Sequence, residues 1–290
     1  MKRTRIMGLC LAAVCAMFAL SASSAFATEG SIEFGKCVKV AEGTGTYTNS
    51  GCTKPGGKKV DNWEPLKTAV SITSLKKTGT GNAVLEGESG VEISCSGQGE
   101  KVGEYGPGPT EVKNVVGEFS GCKALGGECE SEKAGKEKIN TNKLHGEPGI
   151  VTRNVANEEK NVDGNDLRAQ SGEFLAEFSC SGAAVLVKGG VVVKAGSVVN
   201  GVFKGSTNKM LNKATVEFVG VKPGEQEPSE WTALGSGVSN TGGRKLIEEN
   251  LISSVAPKGF EESAQSLITI QKTTPTTAKV ELRQCKQNTC

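Results

Sequence analysis

A single histidine, His145, serves a chain of 290 residues. Ser-His-Asp and Cys-His sites each need a histidine at a fixed place, and metal-hydrolase centres generally need two or three. Nucleophilic and zinc chemistry therefore have almost nothing to build on. The residue lies in Asn142-Lys143-Leu144-His145-Gly146, a string that reads as a solvated loop. No C-x-x-C pair accompanies it, which removes the usual zinc-ribbon spacing. A G-x-S-x-G elbow, a Walker loop and a dinucleotide fingerprint are missing as well. The sequence nominates no catalytic residue, no metal ligand set and no cofactor.

Aspartate is nearly as scarce, with 3 residues against 29 glutamates. Paired carboxylates serve glycosidases, but in so Glu-rich a chain pairs such as Glu158-Glu159 and Glu248-Glu249 read as surface charge. Asn161-Val162-Asp163-Gly164-Asn165-Asp166 offers the oxygen ligands calcium takes. It lacks the EF-hand spacing and closing glutamate, and reads as a polar turn. Trp63, Trp231, Tyr47 and Tyr105 are the whole Trp and Tyr complement, too few for an extended sugar-stacking stripe. A basic excess is missing too, at 34 Lys+Arg against 32 Asp+Glu. Nucleic-acid binders concentrate positive charge on one face, whereas here Lys54, Lys58 and Lys59 sit among glycines in what reads as a solvated loop. Nucleic acid is not an expected partner.

What the chain does have begins with an export leader. Lys2, Arg3 and Arg5 precede an uncharged apolar run from Ile6 to Leu20, and Ala25-Phe26-Ala27 is a small-x-small cleavage pattern. The run of about 15 residues is short for a bilayer span, which takes roughly 20. Cleavage after Ala27 would release a chain starting at Thr28, with no transmembrane anchor. It would remove Cys10 and Cys15 and three positive charges, leaving 31 basic against 32 acidic residues, a net charge of −1. A lipidated cysteine is not expected, because Val14 and Leu9 put bulky residues before Cys15 and Cys10.

Eight cysteines remain: Cys37, Cys52, Cys95, Cys122, Cys129, Cys180, Cys285 and Cys290. An even number in an exported chain reads as four disulfides, although eight cysteines allow 105 pairings. Local closure favours Cys37 with Cys52, Cys122 with Cys129 across Gly126-Gly127, and Cys285 with Cys290. That leaves a long bridge from Cys95 to Cys180, which would contribute most to stability.

Glycine is abundant, at 39 residues. It separates short Val/Ile/Phe runs such as Val191-Val192-Val193 and Val216-Glu217-Phe218-Val219. Runs of this kind every 8 to 15 residues predict an all-β fold, an antiparallel β-sandwich or partly closed barrel. Glu261 to Ile270 is the one candidate short helix. In Leu175-Ala176-Glu177-Phe178-Ser179-Cys180 an unbroken strand would put Leu175 and Phe178 on opposite faces. Glu92-Ile93-Ser94-Cys95-Ser96-Gly97 is echoed by Glu177 to Gly182, and Gly117 to Gly121 by Gly201 to Gly205, which suggests two related halves. The expected organisation is a signal peptide at 1–27, a small Cys37–Cys52 module at 28–65, a main β domain at 66–272 and a loosely attached tail at 273–290.

Several strings resemble a family of uncharacterised secreted β-rich proteins of soil actinobacteria. They are Phe34-Gly35-Lys36-Cys37-Val38-Lys39, Gly51-Cys52-Thr53, Trp63, Ile93-Ser94-Cys95-Ser96-Gly97, Phe119-Ser120-Gly121-Cys122, Ile139 to Leu144, Phe178-Ser179-Cys180 and Asn208-Lys209-Met210. Pro148, where leucine is usual, and the cysteine-bearing tail depart from the pattern. The resemblance implies secretion and a β fold, and brings no activity or catalytic residues. The expected role is that of a secreted, disulfide-stabilised, non-catalytic protein, structural or binding, at the cell envelope or an extracellular polymer. The competing expectations are a secreted hydrolase acting on glycans through paired glutamates, and a carbohydrate- or calcium-binding module.

Overall fold

Short β-branched runs between glycine-bearing turns satisfy their backbone polar groups most readily by pairing with neighbouring strands. In the computed structural model the regular structure is accordingly all β, without helix among the described residues. Those residues are 32–132, 134–152, 160–199, 202–222, 224–227, 230–233, 245–248, 250–285 and 290. The leader, Glu158-Glu159 and Glu249 lie outside them.

The chain opens with β1 (Ile32–Lys39) and β2 (Asp61–Pro65). Next come β3 (Val70–Lys76) and β4 (Ala83–Gly87), then the long β5 (Glu92–Tyr105) and β6 (Val112–Ala124). Shorter strands follow: β7 (Gly127–Glu130), β8 (Lys138–Asn140), β9 (Leu144–Thr152), β10 (Val162–Ala169) and β11 (Phe174–Cys180). β12 (Ala183–Val199) leads through β13 (Val202–Gly205) to β14 (Lys213–Lys222). The small β15 (Glu225–Glu227), β16 (Glu230–Ala233) and β17 (Lys245–Glu248) precede β18 (Leu251–Val255), β19 (Phe260–Thr274) and β20 (Glu281–Gln284).

Four long strands, β5, β6, β12 and β19, act as staves of one wall. Toward one end the antiparallel ladders run β12–β14–β19–β3–β5–β6–β9–β10 and return to β12. Toward the other they run β12–β18–β19–β4–β5–β6–β7–β11 and again return to β12. Each stave thus changes partners part-way along. In β12 the change falls at Gly189, where φ is +98° and a side chain would run into the Asn250 carbonyl. Eight strands give an interior just wide enough for side chains or one small ligand. One side of the wall is thinly sewn, since β6–β9, β6–β7 and β7–β11 each pair at two positions. The architecture is an antiparallel, partly closed barrel.

The first and last described strands form a separate sheet in the order β2–β1–β20. Its inner face puts Ile32, Phe34 and Leu282 into the core at one barrel end, where Phe34 stacks on Tyr105 with ring centroids 4.4 Å apart. The Cys37–Cys52 loop is therefore an outgrowth of a cap rather than an independent module. Cys52, Trp63 and Cys285 form a second, small cluster. The segment expected to hang loosely from Thr273 is instead built in: Val280, Leu282 and Cys285 are buried. The boundary at 272 falls inside β19.

Three local expectations are corrected. Glu261 to Ile270 belongs to β19, not to a helix, because its inward Gln265, Leu267 and Thr269 follow the two-residue period of a barrel wall. In β11 the register shifts between Phe174 and Ala176, so Leu175 and Phe178 face the same interior instead of opposite sides. The repeated strings take different shapes. β5 runs straight on through Ser96-Gly97, whereas Ser181 and Gly182, both at positive φ, turn the chain from β11 into β12. The Ser-Gly ends of the first pair thus do different work, while Gly201 of the second pair lies outside the described residues.

The four disulfides are Cys37–Cys52, Cys95–Cys122, Cys129–Cys180 and Cys285–Cys290. Two expected pairings change. Leu125 and Gly126, both at positive φ, form the tight turn, but β6–β7 pairing ends at Lys123 and Glu128. Cys122 lies directly opposite Cys95 on β5, and Cys129 opposite Cys180 on β11. The middle bridges therefore sew the barrel wall at the end away from the cap.

Candidate functional site

Alternation along the strands sends one side chain in two into the barrel, and these side chains do not fill it. A cavity of about 150 Å³ remains. Toward the disulfide-sewn end its wall is Ala83 and Leu85 of β4, Ile93 of β5, Leu175 and Phe178 of β11 and Leu251 of β18. Val187, Val191 and Val193 of β12 line its length with Phe119 and Ile139. An apolar cavity of this size is large enough for a benzene-sized molecule and gives water few partners.

Most polar side chains gather toward the capped end, Ser74, Glu100, Tyr105, Asn165, Thr269 and Gln271, while Thr141 and Gln265 stand elsewhere on the wall. Glu100 is the one carboxyl among the lining residues, and no lysine, arginine or histidine accompanies it. The Tyr105 hydroxyl donates to Gln271 Oε1, and Gln271 Nε2 donates to Glu100 Oε2 at 2.9 Å. The other carboxyl oxygen, Oε1, is buried without a hydrogen-bond partner, as is Asn165 Oδ1. Glycine at 103 makes room for this arrangement. Gly103 pairs with inward-facing Ile72, and a side chain there would occupy the space the Glu100 carboxyl takes. Burial pushes Glu100 up to about 7, against the Gln271 hydrogen bond, which favours its charged form. Burial also raises the Tyr105 phenol far above its usual range, helped by the negative charges of Glu100 and Asp163.

A second cavity of about 50 Å³ lies between this polar end and the cap, reached by Tyr105, Asn165, Gln271 and Asp163. Asp163 is fully buried. Its Oδ1 accepts from the Ser206 amide at 2.6 Å, the Thr207 amide at 2.9 Å and the Thr207 hydroxyl at 3.0 Å. Its Oδ2 accepts from Ser206 Oγ at 2.5 Å. Burial raises its pKa, and these donors, Ser206 first, pull it back.

The sequence candidates fall elsewhere. Asn161 to Asp166 is mostly strand β10 and not a turn. It does not gather its oxygens around one point, because Asp163 is held by donors and Asp166 contacts Arg168 at 2.8 Å. His145 lies on β9, exposed, and not in a loop. Pro148 sits within β9 opposite Asn165. Lys54, Lys58 and Lys59 are exposed, with Lys58 paired to Glu42 at 2.9 Å. Among the described residues the one grouping with metal-like donor spacing is Glu33, Cys285 and Cys290, whose sulfurs are joined to each other.

Sequence reasoning missed Glu100 and Gln271, and named Asn165 only within the calcium-like string and Tyr105 only among the aromatics. Glu100 is one glutamate among 29, and its burial comes from strands far away in the chain. The available signal was local: Gly97, Gly99 and Gly103 surround it in a strand that otherwise carries side chains at full density. Glycine inside a strand marks a close approach.

A glycosidase needs two carboxyls about 5 to 9.5 Å apart across one space, and this cavity presents one. What the arrangement can do chemically is enclose an apolar body and accept a hydrogen bond from it. Comparison with protein-family models, curated proteins and solved structures finds no match.

Proposed function

We propose that this chain is an exported, non-catalytic binding protein that carries a small apolar molecule inside its barrel. The observation that carries this reading is the apolar cavity of about 150 Å³ lined by the barrel strands. Four disulfides belong to an oxidising, non-cytoplasmic setting. The leader at 1–27 extends that to secretion, and the resemblance to secreted actinobacterial β-rich proteins points to the same destination. No helix among the described residues is long and apolar enough to cross a membrane. Against the hydrolase alternative stands the lone carboxyl; against a sugar site stands the apolar wall.

Toluene is a suitable probe. Burying its seven carbons is worth about 5.6 kcal/mol at roughly 0.8 kcal/mol each, a Kd on the order of 0.1 mM. Calorimetric titration of the oxidised protein should show saturable one-to-one binding, with methyl resonances of Val191, Val193 and Leu175 shifting in step. Val193→Phe, which fills the cavity, should abolish binding while the protein stays folded by circular dichroism. Absence of saturable binding, or equal binding by the filled variant, would overturn the reading.

A further inference from the structure

We infer that the molecule carried is an apolar alcohol or phenol, its hydroxyl received by Glu100 and Asn165 at the capped end of the cavity. The inference rests on the binding reading above and names the chemistry of its ligand.

Two buried acceptor atoms carry the argument. Glu100 is 9% exposed and Asn165 is 5% exposed, and both line the cavity. Glu100 Oε1 and Asn165 Oδ1 have no hydrogen-bond partner. Leaving such a group unsatisfied costs about 1–3 kcal/mol, more when it is charged. A donor arriving with the ligand would recover that cost, which gives a hydroxylated molecule an advantage over its hydrocarbon equivalent.

Within the Tyr105–Gln271–Glu100 chain the other acceptors are already committed. Glu100 Oε2 is held by Gln271 Nε2, and Gln271 Oε1 is held by the Tyr105 hydroxyl. The chain Tyr105–Gln271–Glu100 fixes the carboxyl in place, and its second oxygen lies beside Gly103 without a partner. Gly103 leaves the interior space this carboxyl needs. Anionic ligands are disfavoured by the same geometry. A carboxylate would meet Glu100 with no lysine, arginine or histidine among the lining residues to balance it, and burying an unpaired charge is expensive. Volume sets the remaining limit: about 150 Å³ admits one ring or a short branched chain.

Phenol and toluene separate the two levels of the claim, since both have seven heavy atoms and differ in one donor. In calorimetric titrations at pH 8, phenol should bind the parent protein at least as tightly as toluene, despite the greater cost of removing phenol from water. Benzoate should not bind. Glu100→Leu should weaken phenol tenfold or more and leave toluene within threefold. Glu100→Gln, whose one oxygen is claimed by Gln271 Nε2 and whose NH2 replaces the free acceptor, should weaken phenol at least threefold and leave toluene unchanged. Asn165→Ala is the second variant, read the same way should Glu100→Leu fail to fold. Toluene binding with phenol more than tenfold weaker would sink the hydroxyl inference and leave the binding reading intact. So would phenol affinity that survives both Glu100→Leu and Asn165→Ala. Failure of both phenol and toluene to bind would overturn the binding reading itself.

Discussion

Glu100 is the residue at which stability and the cavity pull in opposite directions. Its carboxyl has an ordinary value of 4.5 and is pushed up to about 7 by burial. Between those values the folded chain holds a proton that the unfolded chain has released. Stability therefore falls as pH rises through this window, and the loss is complete above about pH 7. Glu100→Gln removes the ionisation while keeping the shape. It should raise the unfolding free energy by about 2–3 kcal/mol at pH 8, with the gain disappearing below pH 5. Urea melts of parent and variant across pH 4.5 to 8.5 measure this; a gain that persists at pH 4.5 would assign the effect to packing. Asp163 is the contrasting case. It too is buried, but four donors surround it, so the same chemical group is consumed in joining β10 to the chain after β13. Neither role could be read from the sequence: the glycines around Glu100 hint at a close approach, but nothing tells which strands bury it or which donors meet Asp163.

At the scale of elements, strand content was legible and strand phase was not. Val191-Val192-Val193 and Val216 to Val219 declare themselves by composition. Leu175 and Phe178 share a face because a one-residue register shift resets β11, and a shift of this kind leaves no compositional trace. β19 looked helical in part because Gln, Ser and Glu dilute its apolar residues, and its alternation shows once both neighbours are known. The cysteines teach the same lesson. Closeness in sequence found the two terminal bridges, but the middle four are paired by the ladders, each directly across from its partner. In the chain-entropy model, loops of 27 and 51 residues are worth about 3.5 and about 4 kcal/mol. Replacing Cys129 and Cys180 by alanine should thus cost slightly more in urea than replacing Cys95 and Cys122. Peptide mapping of the unreduced protein checks the connectivity directly: a fragment joining Cys95 to Cys180 would contradict the register of both ladders.

For the whole molecule, the β class followed from composition, whereas the circuit and its cap did not. The reason is distance along the chain. β1 pairs with β20, and Arg283 fastens the two chain ends together from within the cap. Its Nε and Nη2 donate to Glu281 at 3.1 and 2.9 Å, Nη2 also to the Cys52 carbonyl at 3.0 Å, and Nη1 to the Tyr47 hydroxyl at 2.9 Å. The guanidinium also lies over Trp63, 4.9 Å from the ring centroid. Glu281 has no exposed surface, and burial raises its pKa even against this pairing. Arg283→Met should therefore cost about 3–5 kcal/mol by stranding Glu281, and adding Glu281→Gln should recover part of the loss. Urea unfolding of the two variants at pH 7 decides it, since equal stability of single and double variants would deny the stranded charge.

The sheet that closes the barrel also sets a timetable. Synthesis delivers β1 long before β20, its partner in the cap sheet. Until then Tyr105 has no settled roof and the polar end of the interior stands open to water. The pairing joins strands far apart in sequence, and contacts of that kind slow folding. The cap over the polar end of the interior is thus the part of the fold with the longest reach along the chain.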